Sequence, residues 1–251
     1  MSEAGTPAPP AGIARQRPSL RARVERIFDH CGDTRSLFLR MAEGTLPRFL
    51  PGMFISVAIP LANETRIRPY TIASSPEDGE PFEVCFNRVP NGAGAAWLFD
   101  RVAGDELNFT GPFGAFTLER APVAEAIFIA EGTAIAPIRP MIRRALASAP
   151  ARSIKLLHAA DRAEHLLYGG EFERMAAAQA AFQFEPMIVR EGDPAALYAR
   201  LIDETGRRWI KADADRSRHF YICGVGKGVL ALRDLLRAAG YERRAVHYEQ
   251  W

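Results

Sequence analysis

Residues 126–148 read AIFIAEGTAIAPIRPMIRRALAS, an apolar run that passes through a turn of small residues into a helical pattern. Gly132 permits a tight turn there, and Pro137 suits the first turn of the helix that follows. The alternation continues with the strand patterns SIKLLHAA, FQFEPMIV and HFYICGV and the helical stretches LYGGEFERMAAAQAA and VLALRDLLRAAG. It predicts a parallel sheet flanked by helices over residues 121–251.

The chain before this region has a different sequence pattern, in which short segments of alternating apolar and polar residues are separated by turn signals. These are LRARVERIF, RSLFLRM, MFISVAIP, RPYTIAS, FEVCFNRV and ELNFTGPF. Six such segments predict a small antiparallel barrel over residues 19–120, giving a β plus α/β fold. The proline-rich residues 1–18 are expected to form a disordered arm.

Composition narrows the range of functions. The formal net charge is +2, from 32 basic and 30 acidic residues, so the chain lacks the basic field that nucleic-acid binding needs. There is no run of 18 apolar residues and no apolar leader, and we expect a cytoplasmic protein without membrane insertion. Cys31, Cys85 and Cys223 are widely separated and lack metal-ligand spacing, so no metal site is expected.

Two turns follow apolar strands where a parallel sheet binds its ligands, beyond the strands' carboxyl ends. One contains Gly132, and the other contains Cys223 and Gly224. A glycine at such a place often does no more than permit the turn. The chain has no GxGxxG, so a dinucleotide site here must differ from the usual Rossmann fingerprint.

Four motifs in order carry a family resemblance: Arg68-Pro69-Tyr70-Thr71, GPFGAF at residues 111–116, GTAIAP at residues 132–137, and Cys223-Gly224. With them the chain resembles the ferredoxin–NADP reductase superfamily from about Leu20 to Trp251. The resemblance implies a flavin-binding barrel joined to a nucleotide-binding domain, with FAD and NADH or NADPH as cofactors. It also implies hydride transfer from NAD(P)H to FAD and electron transfer onward.

The electron acceptor follows from the same resemblance. Family members that carry their own plant-type ferredoxin contain CxxxxCxxC, which this sequence lacks. We therefore expect a separate acceptor protein, a ferredoxin or an oxygenase component. The alternatives are a reductase of free flavin or ferric iron, and a catalytically quiet flavin-binding subunit.

The resemblance assigns the flavin side of the site. It places Arg68 at a flavin phosphate, Tyr70 against the isoalloxazine, and Thr71 near N5, where a hydroxyl can donate a hydrogen bond. FAD and FMN both stay open, because Arg68 can serve either phosphate. A second phosphate-binding stretch of the form GxxS corresponds here to Gly92, Gly94, Ala95 and Ala96. Ala95 replaces the usual hydroxyl, which predicts weaker flavin binding.

On the nicotinamide side, the resemblance implies that Thr133 and Ala134 face the dinucleotide and that Cys223 shapes the nicotinamide pocket. Ala134 replaces a glycine of the family pattern, and a methyl group there could clash or demand a disallowed backbone angle. Glu249 is a candidate for proton movement. Trp251 is expected to cover the flavin face, although a C-terminal tryptophan can equally contact a partner.

The choice between NADH and NADPH depends on what meets the adenosine 2′ position. There the resemblance places Asp161, which repels a phosphate and accepts a hydrogen bond from a ribose hydroxyl, so it favours NADH. Asp161 can also simply cap a turn. Arg162 is adjacent and keeps NADPH open.

Overall fold

The computed structural model describes residues 19–89, 92–118, 124–148, 153–189 and 194–251. The expected arm at residues 1–18 and the predicted domain boundary between residues 120 and 121 lie outside these ranges. The described chain forms a six-stranded antiparallel sheet followed by a five-stranded parallel sheet. The predicted fold class is thus confirmed.

The first sheet has the strand order β4-β3-β6-β1-β2-β5. Its strands are β1 Leu20–Cys31, β2 Thr34–Met41, β3 Phe54–Pro60, β4 Thr65–Thr71, β5 Phe82–Asn87 and β6 Glu106–Phe113, with a short helix α1, Ala93–Phe99, between the last two. A bridge between Ile72 and Val84 brings the two edges of the sheet together. Buried and exposed side chains alternate along β3, whose Ile55, Val57 and Ile59 enter the barrel core.

The second sheet has the order β11-β10-β7-β8-β9 with all strands parallel. Its elements are β7 Ala126–Glu131, α2 Ile135–Ser148, β8 Ile154–Ala160, α3 Gly169–Ala178, β9 Phe182–Ile188, α4 Pro194–Trp209, β10 His219–Gly224, α5 Lys227–Ala238 and β11 Val246–Gln250. Residues 126–130 are buried because α2 covers one face of the sheet, while α4 and α5 cover the other.

The GPFGAF segment leads the chain out of the barrel. Gly111 has a φ of 130° and Gly114 a φ of 124°, a backbone conformation that only glycine adopts without strain. Phe116 then joins the core of the second sheet on its α2 face. Among the described residues, no helix is both long enough and apolar enough to cross a membrane.

Candidate active site

A cleft of about 620 Å³ lies between the barrel and the parallel sheet. The barrel contributes the β4 motif, the start of α1 and part of β5, and the parallel sheet contributes the turn after β7 and the chain end. The predicted site residues among its lining are Arg68, Pro69, Tyr70, Thr71, Gly92, Gly94, Ala95, Thr133, Ala134 and Trp251. Residues from both halves of the molecule therefore meet in one cavity large enough for a cofactor.

The mouth of this cleft is basic. Arg68 Nη1 donates to the Ile67 carbonyl at 2.9 Å, and within the described part of the chain no carboxylate pairs with Arg68. Arg66 and Arg88 line the same cleft, and the described lining contains no acidic side chain. Such a mouth suits an anionic ligand such as a pyrophosphate. The sequence interpretation missed Arg66 and Arg88, which belong to no motif.

Thr71 and Cys85 form part of the cleft floor. The bridge between Ile72 and Val84 sets Thr71 beside Cys85, and only 6% of the surface of each residue is exposed. Burial raises the pKa of the Cys85 thiol to about 12, and burial also raises the pKa of Tyr70 to about 12. Both groups are therefore neutral at physiological pH and can act only as weakly polar walls or hydrogen-bond partners.

The start of α1 lies directly against the β4 motif. A Cβ on Gly94 would lie 2.9 Å from Ile59 Cδ1, 3.3 Å from Arg68 Cγ and 3.4 Å from the Tyr70 hydroxyl. Glycine at this position thus allows the close approach that brings Gly92 and Ala95 into the cleft. Ala96 instead lines a neighbouring hollow, together with Arg88.

The turn after β7 is a single 3-10 turn, Gly132–Ala134. Gly132 has a φ of 50°, whereas the one non-glycine residue with positive φ in the described chain is Tyr168, so Ala134 carries no left-handed strain. Fully buried His158 bonds through Nε2 to the Gly132 carbonyl at 3.1 Å. Burial lowers the pKa of His158 to about 4, so the ring is neutral and donates this bond. The sequence interpretation did not identify this support.

At the end of β10, Cys223 is buried and Gly224 lies under a side chain of α4. A Cβ on Gly224 would lie 2.0 Å from the Tyr198 hydroxyl, so packing requires this glycine. Tyr198 donates to Glu131 Oε2 at 2.7 Å, and the Val225 backbone N–H donates to the same oxygen at 3.0 Å. Glu131 and Tyr198 join the ends of β7 and β10, and the sequence interpretation missed both.

The chain end returns to the cleft as the edge strand β11. Its register pairs Glu249 with Cys223, so these side chains share one face of the sheet. Burial raises the pKa of Glu249 to about 7, and among the described residues Glu249 Oε2 has no hydrogen-bond partner. Burial raises the pKa of Cys223 well above its usual range, and the negative charge of the nearby Glu249 raises it further. The site thus holds a neutral thiol beside a carboxyl that titrates near pH 7.

Trp251 is held by its backbone and by a side-chain hydrogen bond to the Cys223 thiol. Its N–H donates to the Gly224 carbonyl at 3.0 Å, and its own carbonyl accepts from Gly226 at 3.2 Å. As a residue Trp251 is 41% exposed and lines the cleft, and its ring lies edge-on to Phe54, with the ring centroids 6.4 Å apart.

Asp161 and Arg162 lie after β8, and neither lines the cleft. Asp161 Oδ1 is 2.5 Å from His165 Nδ1, and Arg162 pairs with Asp33 at 3.3 Å and Glu164 at 3.2 Å. Three atoms of kinds that can bind a metal ion, the Cys31 Sγ, a carboxylate oxygen of Asp33 and a ring nitrogen of His165, also lie within 4.8 Å of one another. Arg162 Nη2, 2.9 Å from His165 Nε2, supplies the positive charge of this cluster.

Comparison with protein families finds two matches in chain order. Residues 21–118 match the oxidoreductase FAD-binding domain, and residues 128–230 match the oxidoreductase NAD-binding domain. The two matches fall on the barrel and on the parallel sheet. The cleft lies between them.

Several characterised proteins are similar to this chain. Ferredoxin–NADP reductase B of Sorangium cellulosum is 30% identical over 222 residues, which cover 86% of this chain and 91% of that protein. The glycine betaine monooxygenase reductase subunit of Pseudomonas aeruginosa is 27% identical over 90% of this chain, which spans 63% of that subunit's length. The crystal structure of an Amycolatopsis cytochrome P450 reductase superposes with a TM-score of 0.78 at 28% identity, covering 94% of this chain and 71% of that one.

Proposed function

The chain belongs to the ferredoxin–NADP reductase superfamily, and we propose that it takes hydride from NAD(P)H onto FAD held in the cleft and passes the electrons to a separate ferredoxin or oxygenase component. The observation that carries the proposal is the meeting of Arg68, Tyr70 and Thr71 from the barrel with Thr133 and Trp251 from the parallel sheet in one cleft. When bound, FAD accepts the hydride, two electrons with one proton, that leaves nicotinamide C4 as NAD(P)⁺ forms.

The cleft fits the flavin in charge, size and shape. The basic mouth offers Arg68 to the pyrophosphate, with Arg66 and Arg88 beside it. Gly92, Gly94 and Ala95 bring the backbone of α1 to the same cavity. Tyr70 supplies an apolar ring face, and the buried Thr71 hydroxyl is the donor that we assign to flavin N5.

On the nicotinamide side, Gly132, Thr133 and Ala134 would face the dinucleotide, with His158 holding the turn in place. Cys223 and Gly224 would shape the nicotinamide pocket. The raised pKa keeps Cys223 as a thiol, which rules against a thiolate nucleophile. Glu249 would hold or release a proton near neutral pH, and Trp251 would move aside when nicotinamide enters.

We assign the adenosine 2′ position to the cluster around Arg162, and this assignment favours NADH. Asp33, Asp161 and Glu164 surround the single guanidinium of Arg162, together with His165. Carboxylates repel a 2′-phosphate and accept hydrogen bonds from a 2′-hydroxyl. Arg162 can bind a phosphate only by giving up these partners.

The acceptor assignment rests on the relatives. The Sorangium protein is named for ferredoxin, and the Pseudomonas subunit is named as part of a monooxygenase. A reductase of free flavin or ferric iron would instead reduce those small molecules at full rate without a protein partner. Measuring turnover with free FMN, ferric citrate and a [2Fe–2S] ferredoxin under the same conditions separates the two functions.

An anaerobic titration of the purified flavoprotein tests the hydride-accepting role. Stepwise NADH, and in a second sample NADPH, is expected to bleach the visible flavin band at one equivalent of nucleotide per flavin. Bound flavin that neither nucleotide bleaches would instead identify a catalytically quiet flavin-binding subunit.

A further inference from the structure

Helix α2 is joined to the barrel by three arginines that we call the α2 clasp: Arg139 pairs with Glu83, Arg143 with Asp78, and Arg144 with Glu77. Arg143 forms a two-bond fork, Nη1 to Oδ2 and Nη2 to Oδ1, both at 2.6 Å. These arginines therefore do not form a free basic face. Each of them links the two halves of the molecule.

The inner pair of the clasp is buried. The side chain of Glu83 is 4% exposed and that of Arg139 is 14% exposed. Glu83 accepts three hydrogen bonds, from Arg139 Nη1 at 2.8 Å, the Ser36 hydroxyl at 2.6 Å and the Tyr168 hydroxyl at 2.7 Å. Two of these donors come from the parallel-sheet half. Such a fully bonded buried carboxylate has one preferred geometry.

Arg139 also makes a second contact with the barrel and one with α3. Its Nη1 donates to the Ala73 carbonyl at 3.2 Å, two residues beyond Thr71. Its Nε donates to Glu171 at 2.8 Å, and its guanidinium lies 4.3 Å from the centre of the Tyr168 ring. One side chain thus holds three segments in a fixed relation.

Those segments are the ones that carry the two reacting sides of the cleft. Glu83 is two residues from Cys85, and Cys85 and Thr71 line the flavin side. Arg139 is two residues from Pro137, and Pro137, Ala136 and Thr133 line the opposite side. A movement of α2 against β5 would change the separation of the two cofactors directly.

We propose that Arg139 and Glu83 are positioning residues that set the distance between nicotinamide and flavin during hydride transfer. The proposal rests on the proposed function and adds to it the element that fixes the reactive geometry. Hydride transfer needs the reacting atoms about 3–3.5 Å apart, and a displacement of about 1 Å can slow a reaction by about 100-fold.

The outer pairs of the clasp serve as an internal control. The side chains of Arg143 and Asp78 are 34% and 31% exposed, and Asp78 belongs to the surface 3-10 turn at residues 76–78 rather than to a cleft strand. Their loss leaves the contacts of Arg139 with Glu83 and Ala73 intact. An effect specific to the inner pair therefore reports on cleft geometry.

The test compares two double variants of the flavin-loaded protein. In the inner variant, Arg139→Met with Glu83→Leu replaces the buried pair by apolar side chains, so neither member of the pair is left as an unpaired charge, while Glu171 loses its bond to Arg139. In the outer variant, Arg143→Met with Asp78→Asn removes the exposed fork. Flavin content and flavin affinity are measured first, and stopped-flow bleaching at saturating NADH then gives the hydride-transfer rate.

We expect the inner variant to keep its flavin and to transfer hydride about 10- to 100-fold more slowly, with a weaker long-wavelength absorbance from stacked flavin and nicotinamide. The outer variant should stay within about twofold of the parent. Equal rates in the inner variant and the parent, or equal losses in both variants, would overturn the proposal. If the inner variant does not fold, the single variant Arg139→Lys serves as the test. Slower hydride transfer at unchanged flavin affinity would support the positioning role, and a hydride-transfer rate equal to that of the parent would contradict it.

A readout that needs no turnover separates this proposal from the proposed function. Amide hydrogen exchange in the flavin-loaded protein should be faster at residues 132–136 and 71–73 in the inner variant but not in the outer one. A parent that neither nucleotide reduces would refute the proposed function, and the exchange data would still show whether the inner pair fixes these segments. Unchanged exchange in the inner variant would refute the positioning role by itself.

Discussion

The ring of Tyr198 occupies the space where a side chain on Gly228 would lie: a Cβ at Gly228 would be 2.1 Å from Tyr198 Cγ. The tyrosine hydroxyl meanwhile bonds to Glu131 at 2.7 Å. Helix α4 is thus locked against the start of α5 and the end of β7. This packing explains Gly224 and Gly228 without any ligand, whereas Gly226 is needed for its φ of 72°.

This contact predicts that Gly228→Ala lowers the stability of the protein, although alanine usually stabilises a helix relative to glycine. Alanine is more favourable than glycine within a helix by about 1 kcal/mol. Here we expect it to lower the free energy of unfolding by about 1–3 kcal/mol, because the ring must move in a packed core. In a Tyr198→Leu background the same substitution should cost less. Urea unfolding of the four proteins checks this, and additive effects would contradict it.

Removing the guanidinium at the cleft mouth should weaken flavin binding. A hydrogen bond to a charged group contributes about 1.5–3 kcal/mol, so Arg68→Ala should raise the dissociation constant of FAD about 10- to 100-fold. Arg23→Ala is a matched control, because Arg23 lies on the exposed side of β1 and pairs with Glu106. Fluorescence titration of the apoprotein measures both variants, and equal affinities would remove Arg68 from the phosphate site.

The two-sheet architecture could be predicted because each sheet has its own local periodicity, alternating in the barrel and continuously apolar in β7. The residues of the RPYT motif could be predicted to lie together because they are adjacent on one strand. Helix α4 was missed although Leu197, Tyr198 and Leu201 follow helical spacing and are buried. Its helical pattern is therefore a local signal of the sequence.

Other parts of the site depend on long-range pairing that no local pattern encodes. Glu83 and Arg139 are 56 residues apart, and Asp78 and Arg143 are 65 apart, so neither pair has a signature of spacing. Taken from the sequence alone, the basic residues around Arg143 and Arg144 are typical of a solvated helix face, with a rim that docks an acidic partner as the alternative. In the structure they bond to the barrel, because α2 covers the side of the sheet that faces it.

Glu249 predicts a pH dependence of stability. Burial raises its pKa from 4.5 to about 7, so between these values the folded protein holds a proton that the unfolded chain has lost. The stability that this protonated carboxyl contributes is present below about pH 4.5 and is lost as the pH rises through about 7. Glu249→Gln, which cannot ionise, should lack this component.

The measurement is urea unfolding of the parent and Glu249→Gln at pH 5 and at pH 8. Relative to the variant, the parent should be more stable at pH 5 than at pH 8. Both proteins contain Cys223, so any slope that the raised pKa of this thiol adds cancels in the comparison. A difference between the two proteins that does not change with pH would show that the carboxyl is solvated in the folded state.

The cluster around Arg162 predicts how nucleotide preference can be shifted. Asp161→Asn removes one of the carboxylates beside Arg162 while keeping a side chain of the same shape. We expect the ratio of kcat/KM for NADPH to that for NADH to rise about tenfold, because the variant removes one negative charge that repels the 2′-phosphate. A tenfold change corresponds to about 1.4 kcal/mol.

The control is Glu164→Gln, which also removes a carboxylate from Arg162. We expect Glu164 to lie farther from the ribose than Asp161. Equal shifts in both variants would show that the guanidinium, rather than the hydrogen bond of Asp161 to the ribose, decides the preference. No shift in either would place the adenosine elsewhere on the sheet edge.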